Sequence, residues 1–280
     1  MEPDDVELVG QSGRSGYLED EEDLIPEPRT MDRDDWIVLG SGLVIAIVVM
    51  MFPLLNHIFM TLVVLVHEMG HTIAGWLFGY PSAPAFDLHY GGGLTLHAQR
   101  SAGLLIVLYS LLAFLIFTYR KNMSTMILLA VLLIVHLVLS LTYFNEVVVL
   151  FMGHGTELII AGIFFYRALS GAAVVHSVER PLYCAIGLFI VFVDTRFAFQ
   201  LMTNDTARSS YEQAKCGGHW MDFSRIAEDF LGVDLASVAF FFFLCCLLPL
   251  VLGFVTFRYQ EYIRRAILRL WKRDPLNVGR

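Results

Sequence analysis

Charge is what this chain has least of. Only 16% of its 280 residues are charged while 56% are hydrophobic, too little polar surface for an ordinary soluble domain of that size. Between Trp36 and Trp76 there is no Lys, Arg or Asp. Cysteine is scarce too: Cys184, Cys245 and Cys246 sit in apolar runs and Cys216 in a polar one, which excludes a disulfide framework and a paired-cysteine zinc module. No positively charged stretch followed by an apolar one opens the sequence, so a signal peptide is not expected. No basic patch with interleaved aromatics occurs before the C-terminal tail, which argues against nucleic acid as a partner. The formal net charge of −8 describes only the N-terminal end: residues 1–35 carry 13 acids and 3 bases, the remainder 14 acids and 16 bases.

What the chain has in abundance is apolar runs of membrane-crossing length. Residues 1–35, rich in Asp, Glu, Gly, Ser and Pro, bury too little to offset chain entropy and read as a disordered acidic tail. From 36 to 257 the pattern is that of an all-α integral membrane protein with about seven transmembrane helices, at about 36–52, 54–78, 101–119, 125–144, 146–170, 181–203 and 234–257. Each is long enough to cross ~30 Å of hydrocarbon. Pro53, Asn56 and His57 divide the first two. Two polar inserts, 79–100 and 204–233, interrupt the series. Residues 258–280 form a basic segment in which Arg258, Arg264, Arg265, Arg269, Lys272 and Arg273 alternate with apolar residues, the pattern of an amphipathic helix resting on anionic membrane lipids. With Arg120, Lys121, Arg167 and Arg180, these residues mark one side as cytoplasmic, together with the C-terminus. Seven spans then place the N-terminus on the other side.

Ionisable groups within apolar spans are costly and so point to function unless partners explain them. They are few here: His67, Glu68, His71, His136, His154, Glu157, Asp194 and Arg196. His67-Glu68-Met69-Gly70-His71 is an H-E-x-x-H sequence on a predicted helix, where the i, i+4 spacing puts both imidazoles on one face. Two histidines one turn apart supply two corners of a zinc tetrahedron. Glu68, next to the first, is placed to take a proton from water and return it to a leaving amine.

A catalytic zinc needs a third protein ligand. Asp194 leads, because it lies mid-span and at i, i+2 does not face Arg196. His154 and Glu157, at i, i+3 and flanked by Gly153 and Gly155, are the rivals: an alternative ligand, or partners that orient one. His136 stands alone and reads as a packing residue. Residues 86–97 alternate in polarity about Gly91, Gly92 and Gly93 and read as a small β-hairpin, including Thr95, whose strand suits main-chain pairing with an extended substrate. An ordinary loop is the competing reading, and His89 and His97 carry no assigned role.

Taken together, His67 to His71 in an early span, Gly91-Gly92-Gly93-Leu94-Thr95 after it, an acidic residue in a later span and the polar stretch Gly217 to Ala227 resemble the site-2 protease type of intramembrane zinc metalloproteases, in its compact bacterial-type branch. The resemblance implies Zn2+ on His67, His71 and an intramembrane aspartate, here Asp194, with Glu68 as acid and base. It implies hydrolysis of a peptide bond in a transmembrane or membrane-proximal segment of a protein substrate. Two other functions fit the same residues: a proton-coupled transporter or channel lined by them, and a non-catalytic relative that binds membrane partners.

Overall fold

In the computed structural model, the described residues are 26–86, 92–213 and 221–271. Among them six helices are long and apolar enough to cross a membrane by length and composition. They are α1 (Arg33–Met51), α2 (Pro53–Leu77), α4 (Met123–Leu141), α5 (Phe144–Ser170), α6 (Glu179–Thr203) and the pair α9 (Leu235–Cys245) and α10 (Leu248–Arg258). The span expected at 101–119 is α3 (Ala102–Thr118), whose 17 residues rise only about 25 Å. Short helices α7 (Asp205–Gln213) and α8 (Asp222–Arg225) and a π-helical segment (Ile226–Leu231) fill the second polar insert, and α11 (Gln260–Trp271) ends the described chain.

Local chemistry sets the boundaries. Asp32 caps α1 by accepting from the Asp35 amide at 2.8 Å, and Asp35 reciprocates, satisfying two donors that a helix start leaves bare. The helix therefore begins at Arg33, inside the stretch read as tail. Asp35 is fully buried and meets Arg180 Nη2 at 2.5 Å. Pro53 at the first position of α2 has no amide to lose. Gly171, in the left-handed conformation at φ 68°, ends α5. Residues 1–25 and 272–280 lie outside the described part.

Helix α5 is central, packing against α2, α6 and α10, while α1 and α9 cover α6. The largest apolar cluster joins Leu150 and Leu158 of α5, Ala198 and Leu201 of α6, Phe223 of α8 and Phe242 of α9. Where α2 crosses α5, Gly70 lets the backbones meet, since a Cβ there would collide with the Met152 carbonyl and Thr156. Before α1, Arg29 donates its amide to Arg258 O at 2.9 Å and Nη1 to Ser170 O at 3.3 Å. The start of α1 and the ends of α5 and α10 thus share one face of the body. Of the seven spans expected, six among the described residues have membrane-crossing length and composition, and α3 is the one that falls short.

The hairpin is real but begins earlier than its polarity pattern indicates. Strands β1 (Ser82–Phe86) and β2 (Gly93–His97) pair antiparallel, with Ser82 opposite His97 and Phe86 opposite Gly93. Pro84 sits in β1, which a two-stranded sheet tolerates because one side of each strand is an edge. Gly91 and His89 lie outside the described residues. Trp76 Nε1 donates to Ser82 O at 2.7 Å and Ser82 Oγ lies 2.7 Å from His97 Nδ1, fastening the hairpin to the end of α2.

Candidate metal centre

Helix α2 turns His67, Glu68 and His71 inward. His67 Nε2 and His71 Nε2 lie 3.0 Å apart, and Asp222 Oδ2 stands 3.2 Å from the first and 3.1 Å from the second. Behind them the remaining ring nitrogens are occupied. His71 Nδ1 donates to the Val149 carbonyl at 2.7 Å, and His67 Nδ1 donates to Glu157 Oε1 at 3.1 Å. A carbonyl and a carboxylate only accept, so each imidazole carries a proton on Nδ1, and in its neutral form each presents an Nε2 lone pair toward Asp222. With both rings neutral, three acceptors face one another, an arrangement that repels unless a cation joins it.

Zinc fits this donor set. Tetrahedral ligands about 2.0 Å from the ion stand about 3.3 Å from one another, close to the observed spacings. The pinned Nδ1 atoms are the outer hydrogen bonds that fix histidine ligands. Gly153 of α5 makes the room: a Cβ there would come within 2.5 Å of His71 Nε2 and 2.6 Å of His67 Nε2. His67, His154 and Glu157 form a second compact group, but its contacts are already those of N–H donors to a carboxylate. Glu157 Oε1 receives His67 and Oε2 receives His154 Nδ1 at 2.8 Å. No lone pairs clash there, so of the two groups His67, His71 and Asp222 is the one whose donors fit a metal ion.

The aspartate expected to complete the site lies elsewhere. Asp194 Oδ1 is 3.5 Å from His154 Nδ1, and among the described residues its buried Oδ2 has no hydrogen-bond partner and it falls in neither compact group. Helix α6 presents Asp194 toward α5, behind His154, and exposes Arg196 on its other side. The His154 ring is itself boxed by Phe197, Phe223 and Phe242 at 4.8 to 5.1 Å between centroids. Asp194, His154, Glu157 and His67 therefore form a buried file leading to the first imidazole. Asp222 comes from outside the spans, at the first residue of α8 in the second polar insert.

Glu68 faces the hairpin. Thr95 Oγ1 donates to Glu68 Oε2 at 2.6 Å, and Gly93 lies so close to the carboxylate that any Cβ would strike Oε1. Gly93 and Thr95 thus hold the acid against β2, while Gly92, at φ 98°, is free of such contact. His97 lies at the exposed end of β2, beside α2; partial desolvation of its ring, reinforced by the nearby Arg225 charge, holds it below its ordinary value. His136 is satisfied at both nitrogens, Nε2 donating to Leu77 O at 2.9 Å and Nδ1 accepting from Tyr109 at 3.2 Å, with Phe78 stacked on the ring.

Compared with known proteins, the chain matches no family model, no curated protein and no solved structure.

Proposed function

We propose that this protein is a zinc-dependent endopeptidase that cleaves a peptide bond of a membrane-embedded or membrane-proximal protein segment, as the site-2 protease resemblance implies. The observation that carries the reading is the meeting of three possible ligand atoms, His67 Nε2, His71 Nε2 and Asp222 Oδ2, one residue from a carboxylate held against a β-strand. Zinc held there supplies Lewis acidity, which polarises a carbonyl and makes water a competent nucleophile near neutral pH.

The chain's own groups supply the rest. With Thr95 bound to Oε2, Glu68 keeps Oε1 to accept a proton from the attacking water and pass it to the departing amine nitrogen. Glu157 and the Val149 carbonyl hold His67 and His71 by their Nδ1 protons. Strand β2 has an outer edge, unpaired among the described residues, on which an extended substrate segment gains main-chain hydrogen bonds beside Glu68. Because a helical peptide bond is shielded, pairing with that edge also keeps the scissile segment unwound. The face carrying Arg29, Arg120, Lys121, Arg180 and Arg258 is the cytoplasmic one on the charge rule, with both ends of the described body on it.

The test is metal content and hydrolysis with detergent-purified full-length protein. Wild type carries one zinc per chain; His67→Ala and Asp222→Ala lose it. Glu68→Gln keeps the metal, and cleavage of a transmembrane peptide falls by about 100-fold or more. Purified wild type without stoichiometric metal overturns the reading.

A further inference from the structure

A cleft of about 300 Å³ opens at the turn between α3 and α4, far along the chain from the metal ligands, lined by Phe114, Phe117, Arg120, Lys121 and Asn122 among others. Two chemistries meet in it. Phe114 and Phe117 offer open apolar surface on α3, at 63% and 64% exposure. Arg120 and Lys121 follow at the helix end, and the Arg120 guanidinium lies over the Phe117 ring, 4.3 Å from its centroid. Among the described residues neither cation has a carboxylate partner.

Helix α11 forms the neighbouring rim. Asn122 Oδ1 caps α4 by accepting from the Thr125 amide, and its Nδ2 donates to the carbonyls of Arg269 and Leu270, each at 3.0 Å. Thr125 Oγ1 donates to the same Leu270 carbonyl at 2.5 Å. The last turn of α11 is thereby fixed on the first turn of α4, carrying Arg269 to the cleft's edge. Exposed Ile267 and Leu268 on α11, beside its arginines, make it a helix suited to the boundary between acyl chains and headgroups. The cleft sits at that boundary because a helix ends and another begins there.

We propose that this cleft binds the phosphate headgroup of an anionic phospholipid, with Arg120 and Lys121 supplying the charge and Phe114 and Phe117 the bed for the first part of an acyl chain. A phosphate is common to all phospholipids, but in a zwitterionic one the choline cancels it. Two cations without a carboxylate partner among the described residues select a headgroup of net negative charge, the kind enriched on the cytoplasmic leaflet. The planar guanidinium offers paired donors to phosphate oxygens and the ammonium a point charge.

Native mass spectrometry of the delipidated full chain, titrated with dioleoyl phosphatidylserine, dioleoyl phosphatidylcholine or inorganic phosphate, tests this. Wild type retains phosphatidylserine in preference to phosphatidylcholine. Arg120→Gln with Lys121→Gln weakens phosphatidylserine binding about 25-fold, about five-fold per charge, and leaves phosphatidylcholine binding and zinc content unchanged. Phe117→Ala weakens phosphatidylserine less, and Arg264→Gln, whose guanidinium is already paired with Glu261, hardly at all. Equal binding of the two lipids, or an equal loss in Arg264→Gln, overturns the proposal in favour of diffuse charge. Displacement of phosphatidylserine by millimolar inorganic phosphate overturns it in favour of a free-anion site.

Discussion

Around α2, α5 and α6 ionisable side chains are buried and joined; in α3 and α4 hardly any side chain is buried at all. Helix α3 has no buried residue and α4 only Thr125 and Ser140, yet both are as apolar as the spans at the centre. What holds the pair on is a few polar contacts: Arg100 donating to Phe78 O at 3.0 Å and to Ser140, His136 bridging Tyr109 and Leu77, and Asn122 gripping α11. In a lipid solvent apolar faces gain little by meeting one another, so hydrogen bonds and close packing decide which helices adhere. The same kind of group, a histidine in an apolar helix, thus does opposite work in the two regions. His136 joins helices with both nitrogens, whereas His67 and His71 each turn one nitrogen toward Asp222.

That contrast can be broken at graded cost. The largest effect is expected from Asp222→Ala, which removes a ligand atom from the triad and should abolish stoichiometric zinc in metal analysis. Gly153→Ala follows closely, because its methyl must occupy the space of both imidazoles; metal content and thermal stability should fall together. Glu157→Gln keeps the shape but weakens the acceptor that pins His67, and competition with a chelator should show zinc affinity lower by about 10- to 100-fold. Asp194→Asn, two partners further back through His154, should lower affinity less than Glu157→Gln while leaving one zinc bound. His136→Phe should cost about 1 kcal/mol of stability and leave zinc affinity untouched. If His136→Phe strips the metal, or Asp194→Asn strips it as fully as Asp222→Ala, the division between the two regions fails.

How much could be read from the sequence follows the range of each interaction. The H-E-x-x-H arrangement is written within one helical turn, so its pairing of imidazoles needed only the helix period. Span positions came from local hydropathy, and they erred where tertiary contact decides: Asp35 reads as tail until Arg180 is seen beside it. The reasoning that favoured Asp194 was that a buried carboxylate requires a cation. Its neighbour is His154, a demand met 40 residues away on α5. Asp222 belongs to the Gly217 to Ala227 stretch of the family resemblance, but it suggests no ligand role in sequence because it lies in a polar insert where an acid is unremarkable. The available signal was its setting, an aspartate directly before Phe223-Ser224 in an insert flanked by two spans, and only the fold returns that residue to α2. The hairpin was displaced for a related reason: prolines at 81 and 84 discourage a strand assignment, and an edge strand accepts one.

The aspartate at 222 has a consequence for the making of the protein. It follows His71 by 151 residues and His67 by 155, and the helices between must already be inserted and packed for its carboxylate to arrive. On the proposed reading a nascent or truncated chain displays both histidines and the glutamate early but lacks the atom that completes the metal cage. Hydrolytic capacity would then appear only after synthesis has passed the last polar insert, so that unfinished copies in the biosynthetic membrane are harmless to the proteins inserted beside them.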